Sequence, residues 1–209
     1  TGGVELRATN ISTSYFRGIS IAGDIISGSA GLALHSGHTI RQTDGTITTT
    51  GDIFGVDSAG NAEQNSSSGN YGAQGTVSLV QNNELAGLGP FYLAGDATNP
   101  AFTVNDTTGG LTLSGSLTNT HGDITVVTAG GKLDLATHGV SAGASTEDGK
   151  NVSLTGRGID QTSGTISVNG STGGGTITLV GYDGTAQGSM SLAGTLETNN
   201  DTDESPTTQ

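Results

Sequence analysis

The sequence predicts an all-β chain wound as a right-handed parallel β-helix, a solenoid with extruded loops. Three observations predict it. Apolar residues recur in pairs spaced by two, glycine is abundant (37 of 209 residues) without a collagen period, and one short phrase returns far along the chain.

Eight short segments carry the pairs: Val4/Leu6, Leu32/Leu34, Val77/Leu79, Leu111/Leu113, Ile124/Val126, Leu133/Leu135, Val152/Leu154 and Ile177/Leu179. A spacing of two puts both side chains on one face of a strand, and Thr, Ser, Glu or Lys takes most of the other face. Strands this short, with only two inward groups each, cannot hold a hairpin core alone and must stack on copies of themselves.

The returning phrase is TIRQTDGTITTTG at 39–51 and GIDQTSGTISVNG at 158–170. Ile40, Gln42, Gly45 and Ile47 correspond to Ile159, Gln161, Gly164 and Ile166. Around the later copy one winding runs Val152/Leu154, Ile159, Ile166/Val168, a glycine-rich turn, then Ile177/Leu179, or about 25 residues per circuit. The earlier copy, Leu32/Leu34, Ile40, Ile47, is expected to follow the same order. Roughly seven to ten rungs at about 4.8 Å each make a rod on the order of 35 to 50 Å long. Within the phrase, Gln42 and Gln161 have inward parity at a corner, where an amide can bond turn backbone or a neighbouring rung. Gly45 and Gly164 take the tight bend, where a Cβ would clash or φ must be positive.

Other stretches break the rhythm. Residues 56–74 are too long and polar for a corner and read as a loop leaving the rod, and 141–149 as a smaller one. Residues 85–105 hold two of the three prolines and several of the few aromatics, and read as a decorated rung or a lateral cover. Specific contacts are expected from Asn61, Glu63, Gln64 and Tyr71 in the first loop and from Phe91 and Tyr92 in the aromatic stretch. One β-helix domain is expected over 1–195, with 196–209 an acidic linker or tail. The opening TGGVELRATN has no basic segment followed by an apolar one, and reads as a mature product or a piece of something longer.

Composition narrows the function classes. Ser and Thr make up roughly a quarter of the chain beside only 4% aromatics, a mixture of turns and short strands. Nineteen acids against six bases leave a formal charge of −13, which repels phosphate backbones and anionic lipid and so disfavours nucleic-acid and membrane partners. There is no cysteine, hence no disulfide, thiolate metal site or Cys nucleophile.

The stretch NVSLTGRGIDQTSGTISVNG followed by GGGTITLVG resembles the repeats of filamentous-haemagglutinin-like exoproteins, the bacterial adhesins exported by two-partner secretion. The resemblance is tight at 30–53 and 109–180 and loose over most of 2–195. It implies a β-helix shaft, secretion to the outer surface of a Gram-negative cell, and a role in attachment or aggregation. The partners it implies are a host-cell or matrix glycan or protein receptor, other copies of the chain, or neighbouring domains of a longer protein. The Asn-Pro-Asn motifs of that family's secretion domain are missing, since TNPAFTV at 98–104 holds only Asn-Pro. The chain is therefore expected to be shaft rather than export module.

Catalytic patterns are thin. Gly139 to Gly143 spell Gly-x-Ser-x-Gly, but a turn and another strand follow where the nucleophile elbow needs a helix. His35 and His38 are spaced three apart without an acid cluster, and His121 with Asp123 sits at a corner. A polysaccharide-cleaving enzyme is the rival class, with Asp96, Asp106, Asp123 and Asp134 as carboxylates that could meet along one face. The lack of Trp argues against a long sugar-stacking groove. Ice binding is a third class, from the outward pairs Thr46/Thr48, Thr76/Ser78, Thr165/Ser167 and Thr176/Thr178, which recur irregularly along the sequence. No catalytic residue, cofactor or metal is expected, and a self-stacking filament subunit is the alternative to the adhesive shaft.

Overall fold

A computed structural model describes residues 2–8, 18–36, 39–55, 75–93, 100–144, 149–170, 173–181 and 188–198. Every paired segment becomes a strand, because alternation at a period of two gives each one apolar edge to bury. Among the described residues there is no helix. The chain enters through β1 (Val4–Ala8), β2 (Gly18–Ala22), β3 (Ile25–Ser27) and β4 (Leu32–Ser36). A further winding holds β5 (Thr39–Asp44), β6 (Ile47–Thr49) and β7 (Asp52–Phe54).

After residue 74, about five turns repeat one plan of three strands. They are β8 (Val77–Asn83), β9 (Gly87–Leu88) and β10 (Phe91–Leu93), then β11 (Phe102–Asp106), β12 (Leu111–Leu113) and β13 (Leu117–Asn119). Next come β14 (Ile124–Thr128), β15 (Leu133–Asp134) and β16 (Val140–Ala142), then β17 (Val152–Thr155), β18 (Ile159–Gln161) and β19 (Thr165–Val168). The last turn is β20 (Ile177–Val180), β21 (Met190–Leu192) and β22 (Thr195–Glu197).

Each strand pairs in parallel with its counterpart one winding away, which makes the chain a parallel β-solenoid. Face A is an eight-stranded sheet, β1-β4-β7-β9-β12-β15-β18-β21, and face B a seven-stranded sheet, β2-β5-β8-β11-β14-β17-β20. Face C has five strands, β10-β13-β16-β19-β22, and the pair β3-β6 stands apart from it. Eight strands at about 4.8 Å give a rod of roughly 34 Å, just under the expected range.

Registers carry the core from winding to winding. On face B, Ile19, Ile40, Val77, Phe102, Ile124, Val152 and Ile177 form one column. On face C, Phe91, Leu117, Val140, Ile166 and Leu196 form another. Fully burying one such side chain contributes about 1.5–3 kcal/mol, so a winding with a handful of them is unstable alone and stable only between neighbours. At the far end this protection runs out: Met190 and Leu196 occupy inward columns yet are 52% and 48% exposed.

Of the two alternatives for 85–105, the described residues take the rung, since β9, β10 and the start of β11 lie there with apolar residues continuing the columns, and one other expectation changes. The segment 141–149 is not wholly a loop, because Ser141 and Ala142 finish β16 and pair with β13 and β19.

Candidate functional site: the corners and the outward faces

The repeated phrase makes the same corner at two different places in the winding. Ile40 and Gln42 belong to β5 on face B and Ile47 to β6, whereas Ile159 and Gln161 belong to β18 on face A and Ile166 to β19 on face C. The copies therefore share a local shape and not a face, which corrects the expectation that both windings run in the same order. What they share is strand, inward glutamine, bend and strand. Gly45 and Gly164 have φ of 77° and 91°, the left-handed region that glycine enters without a Cβ penalty. A Cβ on Gly45 would lie 2.3 Å from the backbone of Gly23 in the preceding winding. All four isoleucines are completely buried.

The two glutamines, each 2% exposed, differ in their partners. Gln42 Nε2 donates to Gly45 O at 2.9 Å and to Asn83 Oδ1 at 2.8 Å, and Asn83 Nδ2 donates back to Gln42 Oε1 at 3.0 Å. Neither amide atom of Gln161 has a hydrogen-bond partner. It faces Leu192 in the next winding, which offers no polar atom.

Gln42 starts a buried polar ladder that sequence reasoning missed. Asn83 Oδ1 also accepts from the Ile47 amide, and Asn83 Nδ2 donates to the carbonyls of Leu79 and Asn105. Asn83 pairs in register with Asp106, and Asp106 with Thr128. Asp106 Oδ1 accepts from the Leu85 amide at 2.9 Å and Oδ2 from Thr128 Oγ1 at 2.7 Å. Burial pushes the Asp106 carboxyl above the usual aspartate range, opposed by the hydrogen bonds from Leu85, Thr128, Thr108 and Thr107. One signal was available: each of the three closes a strand of alternating apolar residues at an inward position.

The expected contact residues divide. Asn61, Glu63, Gln64 and Tyr71 lie outside the described residues. Phe91 is corrected to the core: it is 2% exposed and its ring meets Phe102 at 5.1 Å, because strand parity turns it inward. Tyr92, the next position, points out and is 37% exposed.

Among the described residues, the carboxylates considered for catalysis are not brought together. Asp106 lies inside the rod, Asp134 on face A accepts from the Ala136 amide, and Asp123 precedes β14, where its Oδ1 accepts from the backbone and side chain of Asn151. Asp96 and His38 lie outside the described residues. His35 is buried with no partner for Nδ1. Among the described residues, no three His, Asp or Glu side chains gather to hold a metal ion.

The threonine pairs also scatter: Thr46/Thr48 lie at β6, Thr76/Ser78 at β8 inside face B, Thr176/Thr178 at β20 on its last strand, and Thr165/Ser167 on face C. Yet register builds a regular outward column on face B from single hydroxyls, Ser78, Thr103, Thr125, Ser153 and Thr178. Counting pairs along the sequence hides it, because the spacing between its members varies with the length of each winding.

No protein-family model matches this chain, and no curated protein or solved structure matches it.

Proposed function

We propose that this chain is a structural and adhesive shaft segment of a secreted or surface-exposed bacterial protein of the filamentous-haemagglutinin-like kind. The observation that carries this reading is the way the solenoid uses its side chains. Inward positions from β4 to β19 are consumed by the rod's own packing. Chemistry for a partner is left to the outward faces and to connections such as 56–74.

The experiment is adhesion of the purified chain to immobilised cells and glycans, against a variant in which 56–74 is replaced by a short Gly-Ser turn. Adhesion is expected to be lost with this segment while the unfolding midpoint stays within error. Equal adhesion by both would reject 56–74 as the contact surface. A second reading, a self-stacking filament subunit, draws on the inward residues Met190 and Leu196 left exposed on the last winding. Fibres that lengthen with concentration under electron microscopy would favour it over the shaft.

A further inference from the structure

Asp106 is the last residue of β11 and is 1% exposed. Its carboxylate is held by neutral donors alone: the Leu85 amide on Oδ1, the Thr128 hydroxyl on Oδ2, and the backbone amides of Thr107 and Thr108 beside it. The groups facing it from β8 and its following turn are Asn83 and the Leu85 amide, and from β14 the side chain of Thr128. Among the described residues none of these partners is basic. Glu84, which stands between Asn83 and Leu85, is exposed and directed at Thr48 on β6. Both Asn83 Nδ2 hydrogens are committed elsewhere, to Gln42, Leu79 and Asn105, so that amide does not serve the carboxylate. A charge buried with hydrogen bonds but no counter-ion keeps much of its desolvation cost.

The site offers a second arrangement. Thr128 Oγ1 also lies 3.4 Å from Gly109 O. A hydroxyl rotor can turn its hydrogen from Asp106 Oδ2 to that carbonyl and present its lone pairs instead. We propose that Asp106 is a proton-operated lock in the middle of the rod: its carboxyl takes one proton from solvent, donates it to Thr128 Oγ1, and joins β8, β11 and β14 more firmly in mildly acid surroundings. Oδ1 keeps the Leu85 amide, and the Oδ2 hydrogen, the Thr128 hydroxyl and the Gly109 carbonyl then run as one line of donors and acceptors. The step makes one O–H bond, on Oδ2, and breaks one in the solvent hydronium that gives up the proton; Thr128 keeps its own hydrogen.

The sign follows from linkage. With its affinity for the proton raised by burial, the folded chain binds that proton at pH values where the unfolded chain has released it. This group therefore adds stability as pH falls from above its folded value toward the ordinary aspartate value, the reverse of acid denaturation. The remaining acids also repel less as they protonate, but they do so in any variant.

The test compares unfolding midpoints of the unaltered chain and Asp106→Asn at about pH 7 and about pH 5, a span over which an ordinary aspartate stays ionised. Asparagine imitates the protonated group, its Oδ1 accepting from Leu85 and its Nδ2 donating to Thr128. The variant is expected to be the more stable at the higher pH, with the gap shrinking at the lower. A gap that does not move with pH overturns the proposal. Titration of the Asp106 carboxyl carbon by NMR in the unaltered chain decides the matter even where the variant does not fold. A midpoint above the ordinary value supports the lock, and one at or below it overturns it. Thr128→Val, which removes one donor to the anion, is expected to move that midpoint higher still, and an unmoved midpoint counts against the part given to Thr128 in the lock.

Discussion

Gln42→Leu and Gln161→Leu, the same substitution at the same place in the repeated phrase, are expected to act in opposite directions. Glutamine and leucine are similar in volume, so packing changes little and the polar terms decide the outcome. Gln42 takes part in three hydrogen bonds, one to Gly45 and two to Asn83. At about 1 kcal/mol net for each, less what the apolar replacement returns, its loss costs roughly 2 kcal/mol. Asn83 keeps Ile47, Leu79 and Asn105, which prevents a larger penalty. Gln161 starts from the other side of the ledger, with both amide atoms buried and unpaired. An orphaned buried polar group costs about 1–3 kcal/mol, so leucine facing Leu192 is expected to stabilise the rod by about 1 kcal/mol or more. Denaturant unfolding of the two single variants, with the slopes compared to confirm that the same surface is exposed, measures the difference. If Gln161→Leu destabilises as much as Gln42→Leu, the amide has partners and the account of the corner is wrong.

Two further expectations test the core and the bends. Leu111→Ala in the middle of face A is expected to cost about 2–5 kcal/mol, whereas Met190→Ala on the last winding should cost well under half as much, because its side chain is 52% exposed; urea midpoints report both. Gly45→Ala should destabilise more than Gly109→Ala: both bends have positive φ, worth about 1–2 kcal/mol, but a Cβ at 45 also strikes the backbone of Gly23 while one at 109 meets open space. Equal losses in the thermal melts of the two glycine variants would mean that the contact between windings does not constrain the bend.

The adhesive reading rests on the outward surface, which strand parity separates from the core. Core columns such as Phe102 with Ile124 and Val152 tolerate only apolar replacements of similar size. Outward positions such as Thr125, Ser153 and Thr155 are half-exposed and sit beside other outward residues of the neighbouring windings, Thr103, Val127, Thr178 and Val180. Lys132 shows how little the outer ion pairs need contribute: its 2.6 Å bond to Asp160 links two windings, but both groups are solvated and such pairs are worth about 0–1 kcal/mol.

Much of the architecture was legible because it depends on neighbours in sequence. Val152 and Leu154 must share a face whatever surrounds them, since a strand alternates at every residue, and the same holds for each of the eight pairs. Gly45 and Gly164 announced bends, and both adopt positive φ. The ladder of Gln42, Asn83, Asp106 and Thr128 was not legible, because its members stand 41, 23 and 22 positions apart, separations set by the lengths of the windings between them. The reversal of Phe91 from contact residue to core has the same origin, as aromatic composition alone does not tell which parity of β10 faces in.

Sequence by itself determined that the strands are short, that two side chains of each turn inward, that glycine makes the corners, and that copies must stack to bury anything. Only the tertiary structure decided which face each copy occupies, which polar groups meet inside the rod, and that one amide is left without a partner. The corners of the winding are alike locally, so a phrase of thirteen residues folds as well at one as at another. Its neighbours are chosen by the parallel registers, which sum every turn and loop between one winding and the next.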